Sequence, residues 1–169
     1  MSTIPETRNL KPDSRLSICL ACSHGGHLSE MLQLAEAYSG NEVFYFCYDA
    51  ETTRRLPDVT LVPNRPYSPI EFLRNLARAR ALFRTKRPDL VLSTGAEIAI
   101  PVLVVAKLLR VPSVYVECGA QFTTPSLTGR IAYWLCDRFY VQWPELLNAY
   151  GPRARYVGSL IDATVPAVK

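Results

Sequence analysis

The chain has 169 residues, of which 49% are apolar and 20% charged, and a net charge of +4. That length suits one domain with a sizeable core, and the balance is that of an ordinary globular chain. No run approaches the ~20 apolar residues needed to span a bilayer; the longest, 98–109, is interrupted by Pro101 and Lys107.

Residues 1–15 are polar, hold two prolines and read as a disordered leader. The remainder, 16–169, reads as one Rossmann-like domain. Leu16–Cys22 is strand-like, 23–26 is a turn, and His27–Tyr38 reads as a helix. Glu42–Tyr48 and Val59–Val62 read as strands, and Pro69–Arg84 as a helix with proline in its first turn. Leu90–Ser93 is a strand, followed by a helix from about Glu97 to Leu109. Ser113–Glu117 is a strand, Leu127–Cys136 a helix, Phe139–Val141 a strand, Pro144–Tyr150 a short helix and Arg155–Val157 a last strand. This alternation predicts an α/β fold with a mostly parallel sheet and helices on both faces. Ligands of such sheets bind beyond the carboxyl ends of the strands. The loops to watch are therefore 23–27, 93–97, 117–124 and 142–145.

Five scattered cysteines fit a reduced, cytoplasmic setting rather than a disulfide framework. Cys19 and Cys22 form a CxxC pair, but inside a strand residues three apart point to opposite faces, which argues against a redox pair.

The first loop runs Ser23-His24-Gly25-Gly26-His27. Two glycines allow a sharp turn and close backbone approach to a ligand, and the amides that follow open a helix, where phosphate is attracted. The spacing is neither a dinucleotide fingerprint nor a P-loop. His24 and His27 are the only histidines. Either suits proton transfer near neutral pH, or caps the helix. A zinc site is not expected, because two histidines three apart need further ligands and no cysteines are paired with finger-like spacing. Glu117, at the end of another strand, reads as a base, a grip on sugar hydroxyls, or a cap. Glu97, beyond Gly95, also fits a first-turn helix acid.

Segment 65–87 holds seven basic residues and one acid, Glu71. On a helix, Phe72, Leu76, Ala79 and Phe83 form one stripe. Arg74 and Arg78 lie away from it, and Arg80 and Arg84 flank it. The basic face is either simply solvated or set against an anionic membrane surface. Nucleic acid is not expected, since no recognition module or interleaved aromatics accompany the charge.

Three stretches, CSHGGHLSEM from Cys22, TGAEIAIP from Thr94 and VECGAQFTTPSLTGRIAYWLCDRFYVQWPEL from Val116, resemble the acceptor-side subunit of two-component glycosyltransferases. That family includes the asparagine-linked glycosylation anchor subunit acting on dolichol-linked sugar and the bacterial PssD type acting on undecaprenyl diphosphate. The resemblance covers about Leu16 to Leu160 and implies a GT-B enzyme split in two. This chain holds the acceptor, and a donor-binding catalytic subunit of the PssE type brings the UDP-sugar. It implies inverting transfer without metal or cofactor to a polyprenyl-diphosphate-linked sugar. Ser23, Gly25, Gly26, Gly95 and Glu97 are implied to face the acceptor and its diphosphate. Glu117 and His27 are the candidate bases, and Gln142, Trp143 and Glu145 belong to the cleft or the partner contact. Arg74, Arg78, Arg80 and Arg84 face the membrane in this reading. The loop CGAQFTT departs from the expected Ser-Phe-Ala/Thr-Arg-like residues, which leaves the acceptor's identity open. Without the membrane-spanning N-terminus of eukaryotic members, contact is expected to be peripheral, on the inner face of the cell membrane. Two alternatives stand beside this: a non-enzymatic nucleotide-binding Rossmann module, and a membrane scaffold that recruits a catalytic chain.

Overall fold

A computed structural model describes residues 15–160; apart from Arg15, the leader expected over 1–15 lies outside the described residues. Seven strands form one sheet in the order β3-β2-β1-β4-β5-β6-β7. They are β1 (Ser17–Cys22), β2 (Glu42–Tyr48), β3 (Val59–Val62), β4 (Leu90–Ser93), β5 (Ser113–Val116), β6 (Arg138–Val141) and β7 (Ala154–Tyr156). Every pairing is parallel. The helices are α1 (Gly26–Gln33), α2 (Ala35–Tyr38), α3 (Pro69–Lys86), α4 (Ala99–Leu109), α5 (Leu127–Leu135) and α6 (Glu145–Tyr150).

The single helix expected over 27–38 is two. The Met31 carbonyl accepts from the Leu34 N–H at 3.2 Å and from the Tyr38 hydroxyl at 3.0 Å, and the helix restarts at Ala35. The helix after β4 begins at Ala99, so Glu97 precedes it. A 3₁₀ turn at Thr53–Arg55 was not legible.

Two apolar clusters sandwich the sheet. One packs α3, α4 and α5 against Cys19, Phe46, Val91, Tyr115 and Phe139. The other packs α1 and α2 against Leu20, Cys22, Tyr45 and Cys47. Cys19 and Cys22 thus face opposite ways, as strand geometry requires. On the second face an apolar groove of about 340 Å³ is floored by Ile18, Leu92, Val114, Val116 and Tyr140.

α3 is capped as its sequence suggests: the Ser68 hydroxyl accepts from the Glu71 N–H, and Pro69 opens the first turn. Its buried stripe keeps Ala79 and Phe83, with Leu76 packed partly buried against the core, but begins with two polar residues rather than Phe72. Glu71, Asn75, Ala79 and Phe83 are buried, whereas Phe72 is at the surface. Polar groups can occupy that stripe because they are paired. Arg74 donates to Glu71 Oε1 at 2.6 Å, and Arg78 donates to Glu71 Oε2 at 3.2 Å and to Asn75 at 2.8 Å.

Chain order reverses between β1, which leads outward to β2, and β4, which leads the other way to β5. This is the switch point where ligands of such sheets bind, and the loops after β1, β4 and β5 meet there.

Candidate functional site

The loop after β1 turns at Gly25, whose φ of 74° and ψ of −135° suit glycine and few other residues. Gly26 has an ordinary φ, and a Cβ on it would meet nothing within 4 Å. No side chain caps α1, so its first N–H groups remain available to an anion. Ser23 is buried with its hydroxyl on the His24 carbonyl, and His24 is exposed.

His27 is the fixed histidine. Its Nδ1 lies 2.9 Å from the Thr94 carbonyl, and the Thr94 hydroxyl donates to the His27 carbonyl at 2.6 Å. A carbonyl only accepts, so Nδ1 carries a proton, and in the neutral ring Nε2 is the nitrogen with the lone pair. Gly95, at φ 119°, lies against the ring: a Cβ there would stand 3.0 Å from Nδ1 and Cε1. Gly95 therefore makes room for His27.

One turn further along α1, Glu30 is only 8% exposed. Its Oε1 accepts from the Gly119 N–H at 2.9 Å and from the Cys118 thiol at 3.6 Å, tying α1 to the loop after β5. Its Oε2 makes no hydrogen bond with a described residue. Burial pushes the Glu30 carboxyl above its usual range, opposed by the Gly119 N–H, His27, Cys118 and the Gln142 amide. Burial also pushes the Cys118 thiol up to about 11. A nitrogen of His27, a carboxylate oxygen of Glu30 and the Cys118 sulfur lie within 4.8 Å of one another.

Glu117 stands at the same edge but is fully buried. Ser126 donates to both its oxygens at 3.0 Å, the Cys118 N–H to Oε1 at 2.9 Å, and the Tyr150 hydroxyl to Oε2. Ser126 also caps α5 through the Gly129 N–H at 2.8 Å. A Cβ on Gly129 would overlap the Glu117 carboxylate and the Tyr150 hydroxyl, so a glycine is needed for this closeness. Each oxygen of Glu117 is thus occupied from within the chain. The carboxylate locks α5 and α6 to the end of β5.

Gln142 and Trp143 hold the same loop from the other side. The Gln142 amide donates to the Glu117 carbonyl at 3.1 Å, and its oxygen accepts from the Leu160 N–H at 2.9 Å. The Trp143 indole N–H donates to the Gly119 carbonyl at 2.6 Å. Glu145 is an exposed first-turn acid of α6. Glu97 lies apart from His27's immediate contacts. It accepts from the Tyr48 hydroxyl at 2.7 Å and lines a groove of about 260 Å³ with Tyr67, Phe72, Pro101 and Ile131.

Around that groove several large apolar side chains are exposed. Ile70 and Leu73 of α3 are 63% and 65% exposed, and Leu127 and Trp134 of α5 are 65% and 67% exposed. Among the four arginines, Arg74 and Arg78 are tied to Glu71, while Arg80 and Arg84 are exposed without an ion pair to a described residue.

The structure thus places His27, Gly25, Gly26 and Gly95 together, with Thr94, Glu30 and Cys118 beside them. Glu30 had a legible signal, lying three positions after His27 on the same helical face. Thr94 and Cys118 fall in the strand-end loops 93–97 and 117–124, but no local pattern singled them out, because only the sheet brings them beside α1.

A family model described as "Oligosaccharide biosynthesis protein Alg14 like" matches residues 63–160, more than half of the chain. The rat UDP-N-acetylglucosamine transferase subunit ALG14 is 29% identical over 185 aligned positions, covering 89% of this chain and 85% of that one. A Staphylococcus aureus UDP-N-acetylglucosamine--N-acetylmuramyl-(pentapeptide) pyrophosphoryl-undecaprenol N-acetylglucosamine transferase is 32% identical over 91 positions, 53% of this chain and 24% of its own. The crystal structure of Acinetobacter baumannii MurG superposes with a TM-score of 0.69 at 16% identity, covering 85% of this chain and 45% of that one. The chain therefore spans less than half of that solved structure, and the likeness establishes the Rossmann-like, GT-B-type fold.

Proposed function

Because the chain belongs to the Alg14-like family of oligosaccharide biosynthesis proteins, we propose that it is the acceptor- and membrane-binding subunit of a split inverting glycosyltransferase. It adds a sugar from a UDP-sugar to a polyprenyl-diphosphate-linked saccharide in polysaccharide biosynthesis. The rat relative is named as a subunit of a UDP-N-acetylglucosamine transferase, and the S. aureus relative as a transferase to a pyrophosphoryl-undecaprenol substrate. The first name favours a UDP-sugar donor, and the second favours lipid-linked transfer. The donor half comes from a second chain of the PssE type.

The observation that carries the reading is His27. It stands at the switch point beside an uncapped helix start, with Nδ1–H on the Thr94 carbonyl and Nε2 free to accept. The acceptor diphosphate sits against the glycine turn and the first amides of α1. The acceptor hydroxyl gives its proton to Nε2 as its oxygen bonds to the donor's anomeric carbon. The bond from that carbon to UDP breaks with inversion, and the UDP charge is met by groups of the partner. The imidazolium that forms shares its charge with the Thr94 carbonyl and with nearby Glu30. Glu117 holds the loop in place; its own contacts leave it poorly placed to take the proton.

Membrane contact is made by the exposed apolar side chains at the start of α3 and along α5, with Arg80 and Arg84 adding attraction to anionic headgroups. No helix among the described residues is long and apolar enough to cross a membrane. Attachment in this reading is peripheral, on the cytoplasmic face.

The test is co-expression with a donor-binding chain, followed by transfer assays with a panel of UDP-sugars and lipid-linked acceptors. Transfer by the pair and none by either chain alone is expected. Activity of the isolated chain would overturn the split, and no transfer by any pairing would favour the scaffold.

A further inference from the structure

We propose that His27, Glu30 and Cys118 form a binding site for a single zinc-class divalent ion at the mouth of the cleft. One nitrogen, one carboxylate oxygen and one sulfur lie within 4.8 Å of one another. This mixed set suits a borderline ion such as Zn²⁺ and not the hard, all-oxygen cations. The second observation is Glu30 itself. Its side chain is buried, yet Oε2 has no hydrogen-bond partner among the described residues. The Gln142 amide, which donates to the Glu117 carbonyl at 3.1 Å, lies near Glu30 without a hydrogen bond to Oε2. A buried carboxylate oxygen without a donor is costly unless a cation or a donor arrives.

The outer contacts are those of a ligand set. The Nδ1–H of His27 donates to the Thr94 carbonyl, leaving Nε2 for a metal, and Oε1 of Glu30 accepts from the Gly119 N–H, leaving Oε2. Such partners fix the orientation of ligating side chains. Charge also closes: a carboxylate and a thiolate balance a divalent ion, with His27 neutral and the Cys118 proton released to solvent. Tetrahedral bond lengths place neighbouring ligand atoms about 3.3–3.8 Å apart. Binding therefore draws the three atoms from within 4.8 Å of one another to those spacings, with Cys118 only partly buried. The fourth position is left to water or to a substrate oxygen. An ion on Nε2 removes the proposed base, so it inhibits transfer. That consequence rests on the reading of His27 given above, whereas the binding does not.

The experiment uses the full chain, reduced and stripped of metal, titrated with Co²⁺ and read by absorption. One ion per chain is expected, with visible tetrahedral bands and a near-ultraviolet thiolate-to-cobalt band, both bleached by Zn²⁺. The other four cysteines are buried, so the thiolate band must vanish in Cys118→Ser. In Glu30→Gln and His27→Ala the affinity should fall about tenfold or more, while His24→Ala, outside the set, should bind as wild type. Circular dichroism of each variant separates lost binding from lost fold. Should Cys118→Ser not fold, the contrast between His27→Ala and His24→Ala decides. Absence of cobalt bands in the folded wild-type chain, or an identical spectrum in folded Cys118→Ser, would overturn the proposal.

Discussion

His27 and Glu117 both sit at the carboxyl edge of the sheet, and their surroundings give them different work. His27→Ala in the two-chain enzyme should lower kcat by about 10²–10⁴-fold, the usual contribution of a general base. Glu117→Gln should leave the proton-transfer step largely intact. It breaks hydrogen bonds to buried partners and should cost about 1–3 kcal/mol of stability, read by chemical denaturation. If Glu117→Gln instead lowers kcat as His27→Ala does, with unchanged stability, the roles are reversed. The two glycines separate in the same way. Gly26→Val adds bulk at the proposed acceptor turn but meets nothing within 4 Å in the chain, so it should raise the acceptor KM without loss of fold. Gly95→Ala meets the His27 ring at 3.0 Å and should displace the base, lowering kcat. The glycine turn and His27 were legible because they lie together in the chain. The role of Glu117 was not, since its partners Ser126 and Tyr150 are 9 and 33 residues distant.

At the scale of elements, α3 carries a test of pH and a test of membrane contact. Glu71 is buried between Arg74 and Arg78; the hydrogen bond from Arg74, then that from Arg78 and both charges, hold its carboxyl below the usual value of 4.5 against the effect of burial. A carboxyl depressed by folding stabilises fully above its unfolded pKa and loses that contribution as pH falls through the folded value. The Tm gap between wild type and Glu71→Gln should therefore be widest near pH ~7 and shrink toward pH ~3. A gap independent of pH would mean that the ion pairs contribute nothing. For the membrane, changing Leu127, Ile131 and Trp134 to serine should abolish co-sedimentation with anionic liposomes. Arg80→Gln with Arg84→Gln should only weaken it, since each arginine near such a surface contributes about 1 kcal/mol. The remaining attraction should fade at 1 M salt, where the Debye length is about 3 Å. Retention by the α5 variant would place the membrane face elsewhere. The periodicity of α3 located the helix and the Leu76, Ala79 and Phe83 part of its buried side but missed Glu71 and Asn75, because period counts hydrophobic residues and cannot see that Arg74 and Arg78 make Glu71 fit to bury.

For the whole molecule, the alternation of short apolar runs with longer helical patterns was enough to foresee the parallel sheet, and the sheet in turn located the cleft. The strand order was not legible from local pattern, because it depends on which strands pair across tens of residues. The central claim is that this chain supplies the acceptor side alone. Calorimetric titration of UDP-sugar tests it most directly, first into the purified chain and then into the chain bound to its donor-binding partner. Saturable heat from the complex and none from the chain alone is the expected result. Binding to the chain alone with a Kd of about 1 μM, roughly −8 kcal/mol, would contradict the split and make this domain a nucleotide-binding module in its own right.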